Sequence, residues 1–493
     1  MRYVICLFMV FLLSSTLLYG RILKVGVSHS YANIPAAASI AIPGDSIICY
    51  DPVIQGGMFI ANLQGNADQW IFILAAANTN VIIRGGSNSI QFSDAAYVHM
   101  EGFTVEGQTG NGLNIDDAGS FNTPTHHIRI VRCTIRDINA TGNNDLLKLS
   151  GMDDFEILEC VFINGANGGS GIDMVGCHRG RIIGNSFENM GSNSIQAKGG
   201  TSEIEILRNT FKNGGARAMN LGGSTGLAFF RPQNATTEAD RIKVIANVIE
   251  GSEAAIAFVG CRNIHVSNNT IVRPRKWILR ILQETVDPTR FLPCGENSFF
   301  NNLVIIDQNV TVEANIGPNT APETFLFDHN LWWKIGNTNW IGPNLPGTVK
   351  NNIIADPMIM QNSTYMIPSS SPAIARGLSY TNTVLDIENH PFNDPPSVGA
   401  YEGRKVISTA ASISHQMIKY YPNPTSHLLQ LQFDSDAPRM LWLYDKNGKI
   451  ILQSNTQATH NDIDISSVIS GTYVLKIIYE DGTWVSKQVV VTH

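Results

Sequence analysis

The chain has 493 residues, which is long enough for one large elongated domain and one small domain. Its formal net charge of −7 argues against nucleic acid or an anionic membrane as a partner. Charged residues make up only 15% of the chain and there are 43 glycines, a composition typical of short strands and tight turns rather than long helices.

The first twenty residues have the pattern of a secretory signal peptide. Arg2 precedes an apolar run over 4–18, which ends near the small residue Gly20. The alternative, an uncleaved membrane anchor, needs a longer apolar segment. We therefore expect an exported protein, secreted or at the cell surface, with no transmembrane segment in the mature chain.

Residues 25–105 contain strand-like segments closed by turns, such as IPGDSIICY and VIIRGG. They are followed, over 100–282, by one pattern that repeats about every two dozen residues. Its first series is LLKLSG (146–151), GIDMVG (171–176), SIQAKG (194–199) and AMNLGG (218–223), and its second is FEILECVF (155–162), GRIIGNSF (180–187) and IEILRNTF (204–211). A repeat of this length without a helical period predicts a solenoid of stacked strands. The segment 34–42 is a candidate cap for its open end, although its sequence predicts no clear helix.

One turn position of the repeat is occupied mainly by asparagine: Cys133, Cys160, Asn185, Asn209, Asn247, Asn269, Asn302, Asn330 and Asn352. Such a column can satisfy the buried backbone of each turn from the coil next to it. Together with the coil length and the glycine turns, it resembles the right-handed parallel β-helix proteins of the pectate-lyase-like superfamily, over about residues 25–400. The resemblance indicates the fold and not one reaction.

The mature chain would keep six cysteines, and none has the CxxC spacing of a zinc site. Cys133 and Cys160 hold the same turn position in successive coils. A disulfide and a pair of stacked buried thiols are both open interpretations.

The C-terminal part has a different pattern. We expect the β-helix to span 21–403, a polar linker to span 404–418, and an antiparallel β-sandwich of about seven strands to span 419–493. YPNPT near 421, the turn from Asp445 to Gly448, ISGTY and the final KQVVV resemble the C-terminal sorting domain of the type IX secretion system. That resemblance implies a partnership with the secretion machinery, passage across an outer membrane and removal of the domain.

Outward-facing residues of the first series form two columns, because successive strand residues point to opposite sides. The first column is Asn114, Lys148, Asp173, Gln196, Asn220, Ala257 and Arg280, and the second is Asp116, Ser150, Val175, Lys198, Gly222 and Val259. Lysine, aspartate and amide side chains thus gather on one sheet face. A longer interval before AIAFVG (255–260) predicts an extra loop beside it, which contains Phe230 and Arg231.

The resemblance to the lyases of this superfamily implies cleavage of a uronate-containing polysaccharide by β-elimination, by a monomer. Lys198 is the first choice for the base and Lys148 the second, with Arg217 beside Lys198 to lower the pKa of its amine. Candidate substrate-binding residues are Gln196, Asn220, Asp173, His178, Phe230 and Arg231. Calcium is the one cofactor considered, with Asp116, Asp117, Asp145 and Asp173 as its ligands.

Simpler interpretations stand beside these assignments. Lys148 and Asp173 can form a cross-coil ion pair, and Asp116 and Asp117 can be turn residues that bond their own backbone. His178 can be a solvated loop residue, and Phe230 can attach its loop to the coil instead of stacking on a sugar.

Two other functions fit the same fold. A glycoside hydrolase needs two facing carboxylates, for which Asp116 and Asp173 are the candidate pair. A non-catalytic adhesin or glycan-binding protein needs neither base nor acid.

Overall fold

The computed structural model describes residues 20–359, 365–403, 419–433, 439–445, 450–456, 458–479 and 484–493. Two compact units divide the chain, Met1–Lys405 and Val406–His493. Residues 1–19 of the predicted signal peptide and the predicted linker, 404–418, lie outside the described residues.

The first unit is a parallel β-solenoid of about thirteen coils with three sheets. Sheet 1 contains Ile22–Val25, Ser46–Cys49, Ile71–Ala75, Ala96–Glu101, Thr125–Val131, Met152–Leu158, His178–Ile183, Glu205–Leu207, Lys243–Ile245, His265–Ser267, Ser298–Phe300, Leu326–Asp328 and Thr348–Lys350, with Thr201–Ser202, Ala239–Asp240 and Cys261–Arg262 beside them. Sheet 2 contains Val53–Gln55, Val81–Arg84, Phe103–Glu106, Thr134–Arg136, Val161–Ile163, Ser186–Glu188, Thr210–Lys212, Val248–Glu250, Thr270–Val272, Leu303–Ile306, Leu331–Lys334 and Ile353–Ile354. Sheet 3 contains Met58–Ala61, Ile90–Ser93, Leu113–Asp116, Leu147–Ser150, Ser170–Val175, Asn193–Lys198, Arg217–Gly222, Ala254–Val259, Trp277–Leu282 and Ala314–Ile316.

The core of the solenoid is filled by like residues stacked from coil to coil. Phe162, Phe187 and Phe211 stack nearly face to face, with ring centroids 4.7 and 4.9 Å apart. Each of these rings is buried, so the stack removes a large apolar area from water in every coil it crosses. The repeat length seen in the sequence is therefore the length of one coil.

The predicted asparagine column is confirmed. The backbone N–H of Asn209 donates to Oδ1 of Asn247 at 2.8 Å, and that of Asn247 donates to Oδ1 of Asn269 at 2.9 Å. Asn247 Nδ2 also donates to the carbonyl oxygen of Ile206 at 2.9 Å. The same pattern continues through Asn302, Asn330 and Asn352. These bonds satisfy buried turns that water cannot reach.

We expect Asn247→Ala to lower the free energy of unfolding by about 3 kcal/mol, because it removes the acceptor of the buried Asn209 N–H and the hydrogen bond to the carbonyl of Ile206. Urea unfolding of the full chain followed by circular dichroism measures this change. Asn143→Ala, at an exposed loop position, is the control and should shift the free energy by less than about 0.5 kcal/mol. Equal effects of the two substitutions would contradict the structural role of the column.

The first coil is covered by a short helix, α1 (Ile34–Ala38), where the sequence predicted a cap but no clear helix. The side chain of Asn33 accepts from the N–H of Ala36 at 2.9 Å and so begins the helix. Ile34 and Ala37 are fully buried against the first strands. The N-cap bond of Asn33 favours a helix start, which the alanine-rich segment by itself does not predict.

The six described cysteines are buried free thiols. The backbone N–H of Cys133 lies 3.5 Å from Sγ of Cys160, so this pair follows the stacked-thiol interpretation. Cys261 and Cys294, which the sequence did not connect, are also stacked, with their sulfur atoms 3.9 Å apart.

The second unit has two antiparallel sheets among its described residues. One contains Lys419–Tyr421, Leu428–Gln432 and His460–Asp464, and the other contains Arg439–Tyr444, Ile450–Thr456, Gly471–Tyr479 and Trp484–Val491. Leu431, Leu443 and Leu475 from both sheets belong to one hydrophobic core. The predicted small β-sandwich of about seven strands is confirmed.

Candidate active site

The outer face of sheet 3 carries the polar residues that the sequence placed there. Strand register aligns them in one column: Phe59, Gln91, Asn114, Lys148, Asp173, Gln196, Asn220, Ala257, Arg280 and Asn315. Residues that alternate with them, such as Leu149, Met174 and Ile195, are fully buried in the core. Lys198 lies in the second column, paired in register with Val175. Both predicted columns are therefore confirmed over these strands.

Two lysines and two aspartates meet at the centre of this face, and we call Asp145, Lys148, Asp173 and Lys198 the Lys–Asp cluster. The ammonium of Lys148 contacts Oδ2 of Asp173 and lies 3.7 Å from Oδ2 of Asp145. Lys198 Nζ lies 3.5 Å from the same Asp173 oxygen. The aspartate side chains are 2% and 1% exposed, whereas those of Lys148 and Lys198 are 21% and 13% exposed. The cluster thus has a buried anionic floor and a partly accessible cationic surface.

Burial and neighbouring charges shift the pKa of two groups of this cluster, Asp145 and Lys148. Burial and the neighbouring Asp173 carboxylate raise the pKa of Asp145 to about 6. Burial acts to lower the pKa of Lys148, but the carboxylates of Asp173 and Asp145 outweigh it, so the pKa is raised. Lys148 is therefore a fixed cation at neutral pH.

Amide and guanidinium groups continue the face beyond the cluster. Oε1 of Gln196 accepts from Asn193 Nδ2 at 3.2 Å, and Oδ1 of Asn220 accepts from Arg217 Nη1 at 2.8 Å. Arg217 also forms an ion pair with Glu284 at 2.7 Å. Gln196 and Arg217, which are partly exposed, can donate to carboxylate or hydroxyl oxygens of a ligand placed over the column, whereas Asn220 is 2% exposed.

Arg217 does not stand beside Lys198 as the sequence analysis expected. It pairs in register with Asn193, at the opposite end of the strand that ends at Lys198, about 16 Å away along the backbone. Each cation has a carboxylate neighbour instead: Glu284 for Arg217 and Asp173 for Lys198. Glu284 was missed because it lies in the loop 283–297, whose sequence has no strand period.

The four predicted calcium ligands do not form one group. Asp116 accepts hydrogen bonds from the side chains of Gln91, Ser93 and Asn114 and from the backbone of Ala118. Asp117 accepts from the backbone N–H of Gly119 at 3.0 Å, as a turn residue does. Asp145 and Asp173 lie around the Lys148 ammonium.

In the described part of the chain, three potential metal-ligating side chains come close together at Asp386, Glu388 and His390. Asp386 already accepts from the backbone N–H groups of Glu388 and His390, at 2.9 and 2.8 Å. It therefore organises its own turn, and the sequence did not single it out.

Arg231 and His178, two predicted substrate-binding residues, are held in a buried cluster away from the column. Arg231 donates from Nη1 and Nη2 to the two carboxylate oxygens of Asp153, at 2.7 and 2.8 Å. His178 Nδ1 lies 3.2 Å from Asp153, and its Nε2 lies 3.2 Å from the carbonyl oxygens of Gly200 and Arg231. Burial acts to raise the pKa of Asp153, but hydrogen bonds from His178 and Arg231 outweigh it and hold the pKa well below its usual range.

Phe230 is likewise turned inward and is not at the edge of the face. It is 0% exposed and packs against Phe291, with ring centroids 5.1 Å apart. The predictions of Phe230, Arg231 and His178 as substrate-binding residues are therefore corrected. These side chains fasten the loop 223–238 to the coils, because their polar and aromatic groups are satisfied inside the protein. Phe229, 67% exposed, is the ring that reaches the surface.

Glu238 fixes the other end of that loop and was missed by the sequence analysis. It is 1% exposed, and its carboxylate accepts from the backbone N–H groups of Gly199 and Thr225 at 2.8 and 2.9 Å. It also accepts from the hydroxyl of Thr285. The longer interval in the repeat revealed the loop, but nothing in the sequence distinguishes this glutamate from a solvated one.

A cleft of about 480 Å³ lies on a different surface, over sheet 1. Its lining consists of alternating ion pairs and backbone: Arg179, Gly180, Arg181, Glu203, Ile204, Glu205, Arg241 and Lys243. The Lys–Asp cluster lies instead on sheet 3, where the side chains of Lys148 and Lys198 are partly exposed.

By its fold, the protein is a parallel β-helix with a small C-terminal β-sandwich. Residues 124–278 match the family described as a right handed beta helix region, and residues 419–492 match the secretion system C-terminal sorting domain. The chain thus contains a right-handed parallel β-helix region followed by a secretion system sorting domain. This domain indicates type IX secretion to the cell surface or the extracellular space.

Solved structures with this fold include several carbohydrate-active enzymes. Pectate lyase Pel9A is 14% identical with a TM-score of 0.50, and the match covers 78% of this chain and 96% of that one. A PL6 family polysaccharide lyase from Pseudopedobacter saltans is 14% identical (TM-score 0.46; 77% and 99% covered), and a GH136 lacto-N-biosidase from Eubacterium ramulus is 10% identical (0.44; 68% and 68%). At these identities the likeness establishes the fold alone.

No curated protein matches the sequence. Among the described residues, no helix is long and apolar enough to cross a membrane.

Proposed function

We propose that this protein is a secreted polysaccharide lyase that cleaves a uronate-containing polysaccharide by β-elimination on the outer face of sheet 3. The observation that carries the proposal is the pair of lysines around Asp173. Lys148 is a fixed cation between two carboxylates, and Lys198 presents a second amine to the same place. A uronate substrate needs both a positive charge for its carboxylate and a base for the adjacent proton.

The reaction assigns a role to each group. Lys198 accepts the proton from the carbon next to the substrate carboxylate, the electron pair of that C–H bond forms the new C=C bond, and the glycosidic C–O bond breaks. The departing oxygen keeps the electron pair of the broken bond and takes up a proton from solvent water. Lys148 binds and neutralises the carboxylate, which stabilises the charge that develops on it, and Gln196 and Arg217 bind the polymer farther along the face.

Lys148 is the weaker candidate for the base, although the sequence analysis kept it as the second choice. A base must be neutral before it accepts a proton, and the raised pKa of Lys148 keeps that amine protonated. Lys198 touches one carboxylate, at 3.5 Å, and that carboxylate is shared with Lys148. The proposal therefore gives Lys198 the proton transfer and Lys148 the electrostatic role.

The test is incubation of the full chain with pectate, alginate and glycosaminoglycans, followed by ultraviolet absorbance and by a reducing-end assay. We expect one of these polymers to give a rise in absorbance from unsaturated uronate, in step with new reducing ends. Reducing ends without absorbance would indicate a hydrolase. Bound polymer with neither signal would indicate an adhesin or glycan-binding protein.

A glycoside hydrolase is the second candidate, favoured by one observation. Asp145, with its pKa raised to about 6 by burial and by the neighbouring Asp173 carboxylate, has the property of a general acid, and Asp173 lies beside it. This pair replaces Asp116 and Asp173, because Asp116 lies two coils from Asp173, about 10 Å away. Both carboxyl groups are nearly covered by protein, which makes them poor partners for a sugar.

We further propose that the protein acts as a monomer and that residues 1–20 and 419–493 serve export only. The residues to which we assign roles on the face of sheet 3 all belong to the first unit. The catalytic part is then the β-helix, 21–403.

A further inference from the structure

The Lys148 ammonium fills the space between two buried carboxylates of sheet 3. It contacts Oδ2 of Asp173 and lies 3.7 Å from Oδ2 of Asp145, and both aspartate side chains are at most 2% exposed. Two carboxylates that share such a space require a cation, since uncompensated buried charges of like sign repel one another and are poorly solvated. In this chain that cation is the ammonium group of Lys148.

The resemblance to pectate lyases implies calcium at this face, and the residues present do not fit it. Calcium takes six to eight oxygen ligands at about 2.3–2.6 Å. Asp116 is bonded to Gln91, Ser93 and Asn114, and Oδ1 of Asp145 accepts from the backbone N–H of Ser170 at 2.7 Å.

What remains on the buried side is Oδ1 of Asp173, which has no hydrogen-bond partner among the described residues. A single free oxygen beside an ammonium group is too few donors, and its neighbour has the wrong charge. The oxygen atoms present are therefore those of a carboxylate pair that already has its cation, the Lys148 ammonium.

We propose that Lys148 is the resident cation of this site, so that the wild-type chain does not use calcium there and removal of the Lys148 side chain creates a divalent-cation site between Asp145 and Asp173. This inference rests on the proposed function only where it concerns the role of the Lys148 charge in catalysis. The cation binding itself is measured without a substrate.

Truncation at Lys148 removes the positive charge and the volume of the side chain together. Oδ2 of Asp145 and both oxygens of Asp173 then face a polar space that is open through the 21% exposure of the original lysine. Carboxylate oxygens that converge on a solvent-accessible space are the donors that calcium prefers. The neighbouring Lys198 ammonium, 3.5 Å from Asp173, limits the affinity but leaves Asp145 unopposed.

The experiment is thermal unfolding of the full chain, with calcium chloride and with a chelator, for the wild type, Lys148→Ala and Lys148→Ser. We expect each Lys148 variant to unfold at a lower temperature than the wild type in chelator and to gain about 3 °C on addition of calcium. The control is Lys243→Ala, which removes an exposed lysine paired with Glu205. The wild type and this control should show the same rise in unfolding temperature on addition of calcium, and that rise should be smaller than in the Lys148 variants. That common response also accounts for any ion bound at Asp386, Glu388 and His390.

A second substitution locates the new site. Adding Asp173→Asn to Lys148→Ser should reduce the calcium response to that of the wild type, because it removes the carboxylate that both lysines share. If a Lys148 variant folds only when calcium is present, that result also supports the proposal. A calcium response of the wild type that is reduced in Asp145→Asn would overturn it, as would Lys148 variants that respond no more than the wild type does. Lyase activity plays no part in these outcomes, so the proposed function and this inference can fail separately.

Discussion

Lys198→Ala is expected to lower kcat for polymer cleavage by about 10³-fold, with a small effect on KM. The substitution removes the amine proposed to accept the substrate proton, while Lys148, which is proposed to hold the carboxylate, stays in place. Because the Lys198 side chain is partly exposed and reaches Asp173 only at 3.5 Å, its loss should leave the fold intact. Initial rates over a range of substrate concentrations separate kcat from KM.

The control for this substitution is Lys243→Ala, which removes a lysine 55% exposed on sheet 1. It should retain full activity, and circular dichroism should show that both variants keep the wild-type unfolding temperature. If Lys198→Ala keeps more than a tenth of the wild-type kcat, the base is another group. A change confined to KM would assign Lys198 to substrate binding alone.

Arg231→Met is expected to lower the free energy of unfolding by about 3 kcal/mol, because it leaves the buried Asp153 carboxylate without its bidentate partner. Arg179 and His178 remain near Asp153 and limit the loss. The loop 223–238 is fastened through this pair, so activity should fall together with stability. Urea unfolding of the full chain measures the first effect.

The pH dependence of this difference follows from Asp153. Its pKa is held below the ordinary value of 3.8 in the folded chain. The ion pair therefore stabilises the protein above pH 3.8, and this contribution is lost as the pH falls through the lower folded value. The stability difference between the wild type and Arg231→Met should be constant near neutral pH and shrink at acidic pH.

The matched control is Arg181→Met, which breaks an exposed cross-coil ion pair with Glu156 at 2.9 Å. Half of the Arg181 side chain is exposed, so we expect a change of less than about 1 kcal/mol. Similar effects of the two substitutions, or a difference that grows in acid, would contradict the role given to the Arg231–Asp153 pair.

The repeat could be predicted from sequence because its physical cause is local and periodic. Alternation of apolar and polar residues fixes which side chains face the core, and the position of each glycine turn fixes the register. Lys148 opposite Asp173 and Gln196 beside Asn220 follow from those two facts alone. The asparagine column was visible for the same reason, as was the C-terminal β-sandwich with its alternating strands.

The contacts that shape the edges of the face could not be predicted in this way. Arg231 bonds to Asp153, Glu284 to Arg217, and Glu238 to the backbone of Gly199. These partners are 78, 67 and 39 residues apart in the sequence, and the loops that bring them together have no strand period. A buried arginine or glutamate in such a loop has the same sequence context as a solvated one. This is why Phe230 and Arg231 were assigned to the surface.

The central claim, that this face performs β-elimination, is tested most directly by mass spectrometry of the products formed in heavy-oxygen water. Elimination breaks the C–O bond without adding water, so we predict unsaturated products that contain no oxygen from the solvent. Saturated products that carry one solvent oxygen at each new reducing end would contradict the account and identify a hydrolase.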